Sequence, residues 1–342
     1  MKKVLIFRPA AFGDVVITTP VIRKLKQDGW EIYYSTTERG EQILRLNPHI
    51  TKTFVKKTDE IEVDNIGQYL EKLKKDYTID EVVNLSESIE VDLSLHPRSP
   101  RYMYSKQERF EMCNINFYEH TFTKFPFLDM SMIKEESQLP ELMRPELFFS
   151  EEELKEAKSY MKPDKFNIMI GMAGSGNNKA WPWTELLCGS ILNEMKEHVH
   201  IITVGDVKCK LIEPVEPKYI TNLADKTSMR VSCAMTQFAD LLISPDTGLL
   251  HASGCYDTPK IGMIGHNTIE NITKYFKNDY SVEADPTLAT CAPCFRMIYD
   301  QVLQCVVDDE TGASWCMKEG IRGERVLEQV RKVYNAKSKN RS

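Results

Sequence analysis

Short, unbroken apolar runs alternate along this chain with stretches in which apolar residues return every three or four positions. Val4-Leu5-Ile6-Phe7 is the first such run, short enough for a strand buried on both faces, as in a parallel sheet. A turn of small residues from Pro9 to Asp14 follows, and from Val15 to Lys26 the residues Val21, Ile22 and Leu25 sit at helical spacing. Asp14 falls where the N-cap of that helix is expected, and Pro20 inside it predicts a kink or an early stop. The scheme returns as a strand from Glu31 to Tyr34, helices from Glu38 to Leu46 and from Ile66 to Lys75, and a strand from Glu81 to Leu85. Such alternation predicts βαβ units and a parallel sheet, an α/β protein.

From His96 to Pro145 the regularity fades into a segment rich in Arg, Tyr, Phe and Met with five prolines, read as the end of a first domain plus substrate-facing loops. Ser150 and Glu153 have the spacing of a capping box, which predicts a helix from Glu151 to Met161 leading into a second domain. The scheme then restarts. Ile168 to Met172 reads as a strand, Ala173 to Ala180 as a Gly/Asn-rich loop, and Pro182 as the first residue of a helix carrying Leu187, Ile191 and Met195. Further strands are expected at His200 to Gly205, Leu241 to Ser244 and Lys260 to Ile264, with helices at Met229 to Phe238 and Leu249 to Cys255. Val326, Leu327, Val330 and Val333 mark a last amphipathic helix. The division is into domains of residues 1–150 and 151–342.

Composition narrows the function. The 342 residues are 42% hydrophobic and 27% charged with a net charge of −6, an ordinary globular balance that argues against sequence-independent binding of nucleic acid. No apolar run reaches the length of a membrane span, and Arg8 interrupts the opening MKKVLIF before a signal-peptide core can form. The expected location is cytoplasmic, with any membrane contact peripheral. Nine cysteines, an odd number without a signal peptide, are expected to be reduced thiols rather than a disulfide framework.

Open α/β sheets bind ligands where strands end and helices begin. Three such junctions carry chemistry. At Gly13-Asp14 a carboxylate sits where a general base would act, or is simply an N-cap. From Ala173 to Pro182, glycines including Gly176 let backbone approach an anion and Lys179 can neutralise phosphate; the plain alternative is a solvated turn. The loop matches neither GxxxxGK[ST] nor GxGxxG. At Ser244 to His251, Asp246-Thr247-Gly248 opens a helix with His251 one turn inside, a second anion site or a packed histidine. Two anion sites in one half point to a diphosphate.

Three stretches together resemble the signature of glycosyltransferase family 9, the ADP-heptose:lipopolysaccharide heptosyltransferases. They are Arg8 to Pro20, Gly176 to Pro182 and Asp246 to His251, in matching order and separation. The resemblance implies a GT-B fold, two Rossmann-like domains facing across a cleft. It also implies inverting transfer of a sugar from a nucleotide diphosphate donor, usually ADP-heptose, without a catalytic divalent metal. By it Asp14 would deprotonate the acceptor hydroxyl and Lys179 would neutralise the leaving diphosphate. Asp246, Thr247, Gly248 and His251 would form the donor loop, with Asp206 near the nucleotide. Arg230 would add charge beside the phosphates, or serve only as a surface helix arginine. Acidic and aromatic residues from Leu85 to Glu90, Arg109 to Asn114 and Asn116 to Tyr118 belong to the half expected to meet the acceptor, whether a lipid-linked glycan, a protein or a small molecule.

The remaining feature is a cysteine cluster. Cys291 and Cys294 form CxxC, and Cys305 and Cys316 follow at intervals of ten intervening residues. Four thiolates of this kind can close a tetrahedral zinc or iron site with a structural or oligomer-forming role. The resemblance adds that some family members carry an iron-binding cysteine finger in this region. Two alternatives to the transferase stand beside it: a Cys₄ metal or Fe–S protein with a redox or regulatory role on an α/β scaffold, and a binder of nucleotide sugars that transfers nothing.

Overall fold

The computed structural model describes all residues except 58–64, 131–134, 173, 175, 177, 178, 207–217, 298–304, 306 and 342, and the side chains of 339–341. It contains two parallel sheets. The first has β1 (Lys3–Phe7), β2 (Glu31–Thr37), β3 (Ile50–Lys56) and β4 (Glu81–Asn84) in the order β3-β2-β1-β4. The second has β5 (Phe166–Gly171), β6 (Val199–Val204), β7 (Ile220–Asn222), β8 (Leu241–Pro245), β9 (Lys260–Ile264) and β10 (Val282–Glu283) in the order β10-β9-β8-β5-β6-β7. Relabelled within its own sheet, the second order is 3-2-1-4-5-6, the Rossmann arrangement, with its switch point between β5 and β8. In the first sheet the order turns between β1 and β4.

Side-chain alternation divides each strand between two cores. On one face of the first sheet Val4, Ile6, Ile32 and Tyr34 pack with Val15, Ile22 and Leu25; on the other, Leu5, Phe7 and Tyr33 pack with Leu70 and Leu73. In the second sheet Ile168, Ile170, Ile201 and Ile243 meet Leu187, Ile191, Val326 and Val330, while Met169, Ile202 and Leu242 meet Ala157, Val231 and Met235. The first core is not confined to its own half of the chain. Leu250, Ile264, Ile272, Tyr275 and Phe276 complete it from beyond β8.

Several local expectations shift. The predicted long helix after β1 is two helices, Phe12–Ile17 and Thr19–Gln27, with Pro20 in the first turn of the second, where its missing N–H costs nothing. Ser150 does cap Glu151–Ser159, accepting the Glu153 N–H at 3.2 Å while Glu153 Oε2 accepts that of Ser150 at 2.8 Å. Pro182 lies outside its helix, which runs Thr184–Met195 with Trp183 at the N-cap. The segment read as loops holds short helices, among them Lys106–Cys113 and Phe117–Thr123, capped by Ser105 and Asn116. Among the described residues no helix is long and apolar enough to cross a membrane.

Candidate active site

The first charged cluster forms where β1 and β4 end. Asp14 is not the N-cap; Ala11 holds that position, and Asp14 stands three residues into the helix, its Oδ2 accepting the Ala11 N–H at 2.8 Å. The same oxygen lies 3.0 Å from Nη2 of Arg8. The Arg8 guanidinium, 1% exposed, also grips Glu90 with both terminal nitrogens, at 3.0 and 2.5 Å, and donates to the carbonyl of Leu85. Burial works against the charge on Arg8, but Asp14 and Glu90 outweigh it and hold the guanidinium protonated. Burial raises the Glu90 carboxyl, and although Arg8 opposes this, the nearby charge of Asp14 adds to it; the net direction is upward.

The second charged cluster forms at the other switch point, where β5 and β8 end. Lys179 Nζ lies 3.2 Å from Asp246 Oδ2, and His251 Nε2 lies 3.5 Å from Asp246 Oδ1. Burial alone would raise the Asp246 carboxyl, yet Lys179, His251 and His266 hold it far below the usual carboxylate range, so it is ionised. The loops approach closely because glycine permits it: a β-carbon on Gly174 would stand 2.8 Å from Lys179 Cβ and 3.1 Å from Thr247 Cγ2. Thr247 occupies the N-cap of Gly248–Ser253, its hydroxyl 3.0 Å from that of Ser244. Gly176 gives its carbonyl to the Lys179 N–H at 2.8 Å; its neighbours 173, 175, 177 and 178 lie outside the described residues.

The two sides touch. A β-carbon on Gly13 would come within 3.1 Å of His251 Cδ2 and 3.3 Å of Gly248 Cα, and one on Gly248 would overlap the ring of Phe12. Tyr118, on Phe117–Thr123 and fully buried, places its hydroxyl 3.1 Å from His251 Nδ1. Nε2 faces the ionised Asp246 and carries a hydrogen, so in the neutral ring Nδ1 accepts from Tyr118. A chain of polar contacts thus runs from Tyr118 in the first half through His251 and Asp246 to Lys179.

Two expected residues do not join this cluster. Arg230 is not a surface arginine. It is 3% exposed, its fork is taken by Glu153 at 2.5 and 2.8 Å and by the carbonyls of Phe148 and Gln42, and it stacks over Phe149. It therefore ties the connection between the halves to the helix Glu38–Leu44. Asp206 is exposed just past the end of β6, with no contact to Lys179 or Asp246 among those described.

The cysteines lie apart from this cluster. Cys291 is exposed, Cys294 and Cys305 are half-buried and Cys316 is buried. Among the described residues no three His, Cys, Asp or Glu side chains are arranged to hold a metal ion. Four thiols are a suitable donor set for zinc or iron; in this structure Cys305 Sγ donates to Ser314 Oγ at 3.3 Å. Burial pushes the Cys294 thiol up to about 11 and raises Cys316 further, the other cluster thiols adding to the effect. What the segment does in this structure is strap the halves together. Phe295 O accepts the Leu95 N–H at 2.6 Å, Met297 N–H returns to Leu95 O at 2.9 Å, and Arg109 and Lys106 donate to the carbonyls of Cys294 and Ala292.

Glu90 and Tyr118, expected in the acceptor-facing half, join the site, and sequence reasoning missed His266 and Asn267. His266 and Asn267 follow β9, each 2% exposed, with Asn267 Nδ2 3.4 Å from Asp246 Oδ2. Their one signal was position, immediately after the strand beside β8.

Two parallel sheets, each with a charged cluster at its switch point, make an α/β architecture of paired Rossmann-like halves. The family model for glycosyltransferase family 9 (heptosyltransferase) matches residues 128–300, and the chain belongs to that family. It is 26% identical over 287 residues to lipopolysaccharide heptosyltransferase 1 of Campylobacter coli, covering 77% of this chain and 84% of that protein. In structure it is similar to the ADP-heptose lipopolysaccharide heptosyltransferase II of E. coli, with a TM-score of 0.64 at 14% identity, covering 99% and 100% of the two chains. An iron-containing dodecameric glycosyltransferase from enterotoxigenic E. coli aligns with a TM-score of 0.61 at 11% identity, covering 99% of this chain and 80% of that one. The fold is GT-B, and the protein is a glycosyltransferase.

Proposed function

We propose that this chain is an inverting, cytoplasmic heptosyltransferase that moves heptose from ADP-heptose to a hydroxyl of a glycan acceptor. Residues 1–150 would form the acceptor half and residues 151–342 the donor half. The observation that carries the reading is the contact between the two switch points: Gly13 stands against His251 and Gly248, so the Asp14 carboxylate and the Lys179 ammonium serve one cleft. Heptose follows from the relatives, which are heptosyltransferases, and ADP from the E. coli enzyme, an ADP-heptose transferase.

In this reading Asp14 takes the proton of the acceptor hydroxyl as its oxygen attacks the anomeric carbon, and the bond from that carbon to the diphosphate breaks on the opposite face. Arg8, fixed by Glu90, holds the Asp14 carboxylate in place. Asp246 holds Lys179 with one of its three N–H groups engaged, leaving the others to meet the charge that develops on the departing phosphate. The test is transfer from ADP-heptose, read alongside ADP binding by calorimetry. Asp14→Asn is expected to lose transfer by roughly 10²–10⁴-fold, the range of a lost general base, while still binding ADP. Lys179→Ala is expected to weaken both. Transfer retained by Asp14→Asn would remove it as the base, and wild-type protein that binds no ADP-sugar would end the reading.

A further inference from the structure

We propose that His266 and Asn267 form a subsite for hydroxyl groups of the donor's sugar, beside the position of its diphosphate. The proposal rests on the nucleotide-sugar reading above and assigns a recognition role to two residues outside the three sequence motifs. Both follow β9, at the mouth of the second sheet beside β8. The turn is pinned from behind. The His266 carbonyl accepts the N–H groups of Cys294 at 3.1 Å and Phe295 at 2.8 Å, and a β-carbon on Gly265 would stand 2.6 Å from Met317 Sδ.

The hydrogen positions follow from one charge. Asp246 is ionised and can only accept, so the Asn267 amide must turn its NH₂ toward Asp246 Oδ2, the oxygen that also faces Lys179. Oδ1 of Asn267 then points the other way. The remaining amide hydrogen faces Nε2 of His266 at 3.3 Å, which makes Nε2 an acceptor and places the ring hydrogen on Nδ1. Burial, with Lys179 adding to it, pushes the His266 imidazole down to about 4, so the ring is neutral and this tautomer holds.

The outcome is one N–H donor, His266 Nδ1, and one acceptor, Asn267 Oδ1, both buried and neither with a hydrogen-bond partner among the described residues. A buried polar atom without a partner is costly, and a pair of them next to a reactive ion pair calls for a ligand. A phosphate offers acceptors only and would oppose Oδ1. An apolar group would satisfy neither atom. A hydroxyl both gives and takes a hydrogen bond, and a sugar carries several on adjacent carbons.

Calorimetric binding of ADP and of ADP-heptose to the wild type, His266→Gln and His266→Asn tests this. Gln keeps an acceptor near Nε2 for Asn267 but lacks the Nδ1 donor; Asn keeps a donor near Nδ1. His266→Gln is expected to weaken ADP-heptose about tenfold and leave ADP within about twofold, with His266→Asn recovering much of the loss. Equal weakening of both ligands, or no change in either, overturns the subsite. Should the variants fail to fold, monodeoxy ADP-sugars on the wild type read the same contact: removal of one hydroxyl should cost about tenfold, and a flat series overturns the proposal. A wild type that binds ADP and ADP-heptose but shows no such discrimination defeats the subsite alone, whereas one that binds neither defeats the nucleotide-sugar reading with it.

Discussion

Arg8 lies between two carboxylates, those of Asp14 and Glu90, with its guanidinium out of reach of water. Removing one member of a buried charge cluster leaves the others unpaired, which typically costs about 3–5 kcal/mol, whereas replacing the cluster by apolar groups is often neutral. Arg8→Met should therefore destabilise the protein by roughly that amount in denaturant unfolding. Adding Glu90→Leu should return much of the stability but none of the transfer, because Asp14 would still lack its support. A double variant that recovers transfer would show that Arg8 acts only on the fold. This pairing was not legible in the sequence: 82 positions separate Arg8 from Glu90, and only the closing of β1 beside β4 brings them together. Asp14, Lys179, Asp246 and His251 were legible because each stands within three residues of a glycine at a strand-to-helix junction. Tyr118, on a segment without clear periodicity, gave no such signal.

At the scale of elements, the helices Phe12–Ile17 and Gly248–Ser253 meet end to end, one from each half, through glycine and an aromatic ring. A β-carbon on Gly248 would lie 1.6 Å from Phe12 Cδ1, so Gly248→Ala must displace the ring. Overpacking of this kind costs about 1–3 kcal/mol, seen as a lower melting temperature. Phe12→Ala is expected to cost less in the Gly248→Ala background than alone, a coupling that a double-mutant cycle measures; additive effects would mean that the two helices do not depend on this contact. The elements read well from sequence are the fully buried strands β1, β5, β8 and β9, whose continuous apolar runs need no partner to be recognised. β3, β7 and β10 were not read. The first carries Lys52 and Lys56 on an exposed sheet edge, where polar residues blunt the apolar signal, and the other two are only three and two residues long. Lys106–Cys113 escaped because only Arg109 and Cys113 of it are buried, and Phe117–Thr123 because its stripe of Phe117, Tyr118, Thr121 and Phe122 is too short to show a period.

Over the whole molecule, buried neutral histidines set the response to acid. His266 and His200 are each held down to about 4, in both cases chiefly by burial. The unfolded chain takes up protons near 6.5, before the native state does, so the contribution is fully present above that value and is lost as pH falls toward 4. For His266 the loss across this window is about 3 kcal/mol. Melting temperatures should decline between about pH 6.5 and 4, and His266→Gln should flatten that decline; an unchanged slope would show that the ring takes up a proton in the folded protein.

The shared core has a consequence for recombination among relatives. Leu250, Ile264, Ile272, Tyr275 and Phe276 fill the interior of the first half although they come late in the chain. A chimera joined near residue 150 would set one parent's plugs into the other parent's sockets, however well each sheet folded. The unit that can be exchanged intact is therefore not a stretch of sequence. It is the first sheet together with the apolar residues beyond β8 that return to its core, and a graft that alters donor preference has to keep those positions matched to the host.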